Sequence, residues 1–168
     1  MKSINIICFL ISFLFFSCNI LNLQDNSDIE KLLKKNALKV TISTGLSGTL
    51  LMKEGDCMPT IPVGRNSSCK EHPISRTINI YEYTGQHSVT GYGPLFDSVN
   101  SLLINQCTAD QDGFFQVTLD PGKYSVFIME NDKFYANSFD GLGGIYPIDI
   151  KADSIGSIEL ILDYASYK

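Results

Sequence analysis

The chain has 168 residues, a formal net charge of −5 and an isoelectric point near 4.9. Its acidic balance, with no basic cluster beyond Lys31, Lys34 and Lys35, argues against a nucleic-acid partner. Hydrophobic residues make up 44% of the chain and aromatic residues 11%, which argues against disorder and favours one folded domain.

Residues 1–17 have the pattern of a signal peptide. Lys2 gives a positive start, an apolar run extends from Ile4 to Phe16, and polar residues resume at Asn19. A membrane-spanning helix needs about 20 apolar residues, so this shorter run predicts a cleaved signal rather than an uncleaved anchor.

The end of the run, from Leu14 to Cys18, resembles a bacterial lipoprotein cleavage site. Ser17 is the small residue that such sites place before the cysteine, whereas Phe15 and Phe16 depart from the tighter pattern of the family. The resemblance implies that Cys18 is the lipid attachment site and that the protein is anchored in the bacterial cell envelope, with the outer membrane as the expected location. Cleavage by the ordinary signal peptidase, which leaves Cys18 unmodified, is the alternative.

Residues 18–36 are expected to form a lipid-anchor tether and one short helix. Residues 19–27 are mostly polar, as in a linker, and Ile29, Leu32 and Leu33 then recur at helical spacing. This spacing predicts a helix over residues 28–36.

Residues 37–168 are expected to form the β domain, because the apolar period there changes to two and turn residues separate short apolar runs. The pattern predicts a mainly β fold, an antiparallel β-sandwich of seven or eight strands. The strands are predicted at residues 38–43, 46–53, 77–81, 102–108, 115–119, 123–129, 148–150 and 158–162.

Three cysteines, Cys57, Cys69 and Cys107, remain in the exported domain. Cys57 and Cys69 flank a segment rich in Pro, Gly and Ser, so we favour a disulfide between them. A pairing that involves Cys107 is the alternative, although Cys107 lies in an apolar run typical of a buried strand. No close cysteine pair suggests a zinc site.

Two segments of the sequence have the residues that are typical of tight turns. Asp120, Pro121 and Gly122 predict a tight turn, which we interpret as a hairpin between the strands before and after it. Asp110, Asp112 and Gly113 predict a second turn, in which the carboxylates accept local backbone N–H bonds.

These turns and their neighbours resemble the core motif of carboxypeptidase regulatory-like domains. The resemblance covers about residues 45–164 and implies a sandwich of the transthyretin-like (prealbumin-like) or immunoglobulin-like kind, in an exported protein of Bacteroidetes type. Domains of this family commonly act as accessory or binding modules, and the resemblance implies no substrate. The residues that carry it are Asp110, Asp112, Gly113, Phe115, Leu119, Pro121, Gly122 and Tyr124.

Catalytic and metal sites have little support. The chain has only two histidines, His72 and His87, and neither lies in a pattern that pairs it with a nucleophile. Asp110 and Asp112 alone supply too few oxygens for calcium. No catalytic residue, metal or cofactor is therefore expected.

Long loops are the better candidates for binding. Residues 55–73, 84–97 and 134–146 are rich in Gly and Pro, and loops of this length on a rigid sandwich are often functional. For the third loop, the alternative is that Tyr135 and Phe139 only close the end of the core. The candidate contact residues are Tyr92, Tyr135, Asn137, Phe139 and Asp140.

The expected function is that of a lipid-anchored envelope protein whose non-catalytic β-sandwich is a binding or accessory module. Its expected partners are the membrane, reached through the lipid on Cys18, and a protein or glycan. One alternative is a hydrolase or metal-dependent enzyme, which requires His72 or His87 to approach a carboxylate or Arg76. The other is a structural subunit of an outer-membrane assembly, which requires an unprotected apolar sheet edge.

Overall fold

The computed structural model describes residues 21–58 and 68–166, so the predicted signal peptide (1–17) and Cys18 lie outside the described residues. The described part has one α-helix and eleven strands, with short 3₁₀ turns at Gln86–Ser88 and Tyr164–Ser166. The helix is α1 (Leu21–Ala37), and the strands are β1 (Gly45–Glu54), β2 (Lys70–Pro73), β3 (Thr77–Glu82), β4 (Val89–Tyr92), β5 (Leu95–Val99), β6 (Leu103–Thr108), β7 (Phe114–Val117), β8 (Gly122–Glu130), β9 (Lys133–Tyr135), β10 (Pro147–Ile150) and β11 (Ile155–Leu162).

The strands form a β-sandwich, as the sequence predicts. Sheet A has four strands centred on β1: β11 pairs with one side of β1, and β7 and β2 pair with successive parts of the other. Sheet B has seven strands in the order β4, β5, β9, β8, β3, β6, with β10 also paired to β8. The described strand pairs are antiparallel except for β1 with β11. Short strands such as β2 and β9 raise the number above the seven or eight predicted.

The main core lies between the two sheets. Leu46 and Leu50 of β1 pack there with Ile78 and Ile80 of β3 and with residues of β7, β8 and β11. Successive side chains of a strand point to opposite faces, so Tyr81, the next residue of β3, belongs to the outer face of sheet B. A second apolar cluster covers that face, formed by Tyr81, Phe96, Phe127, Ala136 and Ile145.

Helix α1 packs on the outer face of sheet A. The Asn36 amide donates to the Thr49 hydroxyl at 3.0 Å and to the Asp112 carbonyl at 2.8 Å, and Thr49 alternates with the core residues Leu46 and Leu50. The predicted helix is confirmed, but it begins at Leu21, so residues 21–27 are helical rather than linker.

The predicted strand at residues 38–43 is wrong. This segment has no strand pairing and runs beside β7, where the Thr41 amide donates to the Gln116 side chain at 3.0 Å and the Thr44 hydroxyl donates to the Leu119 carbonyl at 3.3 Å. The alternation of Val40 and Ile42 therefore reflects partial burial of an irregular segment against sheet A.

The predicted hairpin at residues 120–122 is also wrong, although the turn exists. Strand β7 pairs with β1 in sheet A, whereas β8 pairs with β3 in sheet B, so the turn joins the two sheets. The Tyr124 hydroxyl donates to the Asp120 carbonyl at 2.9 Å and holds the corner closed. A positive φ of 73° is found at Gly113 rather than at Gly122, and a Cβ at Gly113 would lie 2.3 Å from the Leu50 carbonyl oxygen.

Candidate functional site

The loops at residues 84–97 and 134–146 lie side by side. The Ala136 amide donates to the Pro94 carbonyl at 2.9 Å, and the Ile145 amide donates to the Thr84 carbonyl at 2.9 Å. A further bond of 3.2 Å runs from the Gln86 amide to the carbonyl of Gly143. Backbone bonds thus join the two loops at both ends into one surface.

Large apolar side chains project from this joined surface. Tyr92 is 93% exposed and Leu142 is 88% exposed, and both lie on loop tips. Phe139 and Tyr83 are 48% and 39% exposed. Asn137, another candidate, is exposed beside them. We call these five residues, together with Asp140, the aromatic loop surface.

Asp140 organises this surface. Its carboxylate accepts hydrogen bonds from the Tyr83 hydroxyl at 2.6 Å, the Leu142 amide at 2.8 Å and the Gly144 amide at 2.9 Å. The bond from Tyr83 and the two amides hold the pKa of Asp140 below its usual range. The carboxylate therefore fixes the loop that displays Leu142.

The second apolar cluster supports the aromatic loop surface from below. Phe127 meets Tyr81, Phe96 and Phe134 edge-on, with ring centroids 5.6–6.4 Å apart. Such packing fixes the backbone from which the loops project, and it leaves the exposed side chains to be held by the loops alone.

Tyr135 is not part of the surface. It is completely buried in the main core, and its hydroxyl donates to the Asp163 carboxylate. Burial raises the pKa of Tyr135 far above its usual value, and the bond to Asp163 adds to the shift. Tyr135 belongs to β9, whose alternation turns this ring inward, so it closes the core and cannot contact a partner.

The Cys57–Cys69 disulfide is formed, with a Cα–Cα distance of 4.6 Å. Part of the loop that it closes, residues 59–67, lies outside the described residues. Cys107 is a free thiol on β6, and burial raises its pKa to about 11, so little reactive thiolate exists at neutral pH.

The enzymatic alternative calls for His72 or His87 to approach a carboxylate or Arg76. Among the residues that the structure describes, neither His72 nor His87 makes a side-chain hydrogen bond with a carboxylate or with Arg76. Arg76 instead donates to the buried Glu130 at 2.6 Å. Glu130 also accepts bonds from Tyr164 at 3.0 Å and Asn131 at 3.1 Å.

The aspartates of the predicted turn at residues 110–113 bind lysines. Asp112 accepts bonds from Lys35 at 2.7 Å and from Lys39 at 2.8 Å, and Lys39 also reaches Asp110 at 2.8 Å. The bonds from Lys35 and Lys39 lower the pKa of Asp112 to about 2. Asp110 accepts the amides of Asp112 and Phe114, as the turn chemistry predicts. Among residues 21–58 and 68–166, no cluster of three or more metal-ligating side chains is found.

A groove of about 440 Å³ lies between α1 and β11 on the outer face of sheet A. Leu33 and Ala37 form its helix side, and Ile155, Ser157 and Glu159 form its strand side.

The sequence did not predict this groove, because the groove depends on where α1 packs on sheet A. Tyr83 and Leu142 were also missed, although a lone leucine between Gly141 and Gly143 is a detectable signal of an exposed tip.

No helix in the described part of the chain combines the length and apolar character that crossing a membrane requires. Comparisons with protein-family models, curated proteins and solved structures found no match. The two-sheet architecture itself is compatible with an immunoglobulin-like or transthyretin-like domain.

Proposed function

We propose that this protein is a lipid-anchored cell-envelope protein whose β-sandwich is a non-catalytic binding module. The observation that carries the proposal is the aromatic loop surface, where Tyr92 and Leu142 are 93% and 88% exposed on loops joined by backbone bonds. Exposed apolar side chains on ordered loops are typical of contact sites, because ordered loops lose little conformational entropy when a partner binds. Tyrosine and phenylalanine suit either a protein or a glycan partner.

The position of α1 supports the anchoring part of the proposal. Lipid on Cys18 would lie three residues before Leu21, where α1 begins. Because α1 packs on the outer face of sheet A, an anchor at Cys18 would be joined to the sandwich through this helix. The proposal also places the sandwich in the carboxypeptidase regulatory-like group, which the turn at Asp110–Gly113 and the corner at Tyr124 support.

The loop surface is tested with two matched leucines, since Leu142 and Leu38 are both 88% exposed. The full chain carries a photo-reactive amino acid at position 142 or at position 38 and is expressed in its native membrane. Cross-linking to one discrete envelope protein or polysaccharide is expected from position 142, and no cross-linking to that same partner is expected from position 38.

Binding of that partner is then measured for Leu142→Ala and Leu38→Ala. Truncation of a contact residue is expected to weaken binding about tenfold, whereas Leu38→Ala leaves it unchanged. Equal cross-linking from both positions, or equal affinity of the two variants, contradicts the binding role of this surface.

The anchor is tested separately by the intact mass of membrane-extracted protein with and without Cys18→Ala. A diacyl or triacyl mass that disappears in the variant is the expected result. A cleaved protein without lipid refutes the anchor and leaves the loop surface to be judged on the first experiment.

A further inference from the structure

Strand β11 forms a long, regular edge of sheet A. Its 8 residues pair with β1 without a register shift, and within the described residues no strand pairs with its other side. The Gly45 amide donates to the Ser154 carbonyl, which fixes the alternation of backbone groups along the strand. The backbone N–H and C=O groups that consequently point away from β1 are those of Ile155, Ser157, Glu159 and Ile161.

This outward row of groups is largely open. The Tyr146 hydroxyl reaches the Glu159 carbonyl at 3.5 Å, which is long for an O–H···O bond. Strand β11 has no proline or lysine, and Glu159 is its single charged residue. The edge therefore lacks most of the features with which natural sheets prevent strand addition.

Other edges of the described sheets have such features. Strand β2 carries Lys70 and Pro73, and β10 begins at Pro147. Strand β4 has a register irregularity next to Gly91. On β6 the Asn105 side chain accepts a hydrogen bond from the Gln106 amide and donates one to the Thr118 carbonyl. The Gln106 amide is therefore already bonded at that edge. The contrast makes β11 the accessible edge.

The groove beside α1 gives this edge a place for side chains. A strand added to β11 would direct every second side chain to the face on which the groove lies. Glu159 lies in the groove, and no lysine, arginine or histidine lines it in the described structure. Partial burial raises the pKa of Glu159, the nearby charge of Glu71 raises it further and the charge of Lys53 lowers it, so the net shift is upward and the carboxylate is only partly compensated. A basic side chain is the complement of this position.

We infer that the β11 edge and the groove beside α1 bind an extended segment of a partner protein by β-strand addition, with a basic side chain of that segment opposite Glu159. An extended strand is the occupant that can form hydrogen bonds with the open row of backbone groups. The negative charge of Glu159 in the groove favours a basic side chain in that strand. The site lies on sheet A, whereas the aromatic loop surface lies on the outer face of sheet B, so the inference does not depend on the proposed function.

The test uses the full chain, extracted in detergent, and two fluorescein-labelled peptides, SVTVKVTVS and SVTVEVTVS. Fluorescence anisotropy is expected to show the lysine peptide binding about fivefold more tightly than the glutamate peptide. Ser157→Pro removes an outward N–H and is expected to weaken binding at least about tenfold, whereas the matched Ser157→Ala keeps that N–H and binds within about twofold of the native chain.

A charge exchange keeps the test independent of any folding defect in the proline variant. Glu159→Lys is expected to reverse the preference, so that the glutamate peptide binds more tightly. Binding of neither peptide at about 1 mM, or equal binding by the proline and alanine variants, overturns the inference. A dimer that Ser157→Pro converts to monomer in light-scattering chromatography also overturns it, because the edge then belongs to a second copy of this chain.

Discussion

The ion pair between Arg76 and Glu130 offers a sharp test of the packing at one end of the sandwich. The Glu130 side chain is 5% exposed and that of Arg76 is 41% exposed, with 2.6 Å between Nε and Oε2. Arg76→Met leaves the buried carboxylate with two neutral donors, Tyr164 and Asn131. An unpaired buried charge costs about 3–5 kcal/mol, and because water can enter on the Arg76 side we expect about 2–3 kcal/mol.

Urea unfolding of the full chain at pH 7 measures this loss, and the double variant Arg76→Met/Glu130→Met is its control. Removing both partners takes away the charge as well as the pair, so the double variant is expected to lose only about 1 kcal/mol. A single variant within about 0.5 kcal/mol of the native chain refutes the reasoning, as does a double variant that is at least as unstable as the single one.

Three further predictions concern other parts of the fold. Replacing Cys57 and Cys69 with serine opens a loop of sequence separation 12 and is expected to lower the free energy of unfolding by about 3 kcal/mol, with reduction of the native chain as the comparison. Tyr124→Phe, which breaks the corner bond, is expected to cost about 1 kcal/mol in urea unfolding, and no change would show that packing alone holds the corner. The pKa of Asp112 is lowered to about 2, so its contribution to docking α1 is present above the usual aspartate pKa near 3.8 and is lost as the pH falls toward 2. Protection factors of the α1 amides against hydrogen exchange, compared between pH 5 and pH 2, measure that loss, and Asp112→Asn should reduce the change with pH to the part that the Lys39–Asp110 pair contributes.

Most of the strands that the sequence predicts correctly have one face in the main core. Ile78 and Ile80 of β3 are fully buried between the sheets, and Asn79 and Tyr81, which alternate with them, belong to the other face of the sheet. Apolar and polar residues alternate along such a strand because one of its faces is buried, so the alternation predicts the strand. The same reasoning fails at Val40 and Ile42, because an irregular segment lying on a sheet is also buried on one side.

Pairing and exposure depend on distant parts of the chain, so local patterns do not predict them. The turn at residues 120–122 is correct as a turn, but β7 and β8 belong to different sheets because β7 pairs with β1 and β8 pairs with β3. Tyr135 and Phe139 come from one loop segment, yet one is fully buried and the other is 48% exposed. Strand β9 pairs with β8 and turns Tyr135 inward, whereas Phe139 follows the end of that pairing.

The two outer faces of the sandwich are organised by separate interactions. On sheet A, Lys35 and Lys39 hold α1 against Asp112, and this contact creates the groove beside β11. On sheet B, Asp140 and the edge-on ring cluster fix the aromatic loop surface. The main core lies between these faces, and its side chains are packed from both sheets. The inferred strand-binding edge and the aromatic loop surface therefore lie on opposite faces of the sandwich.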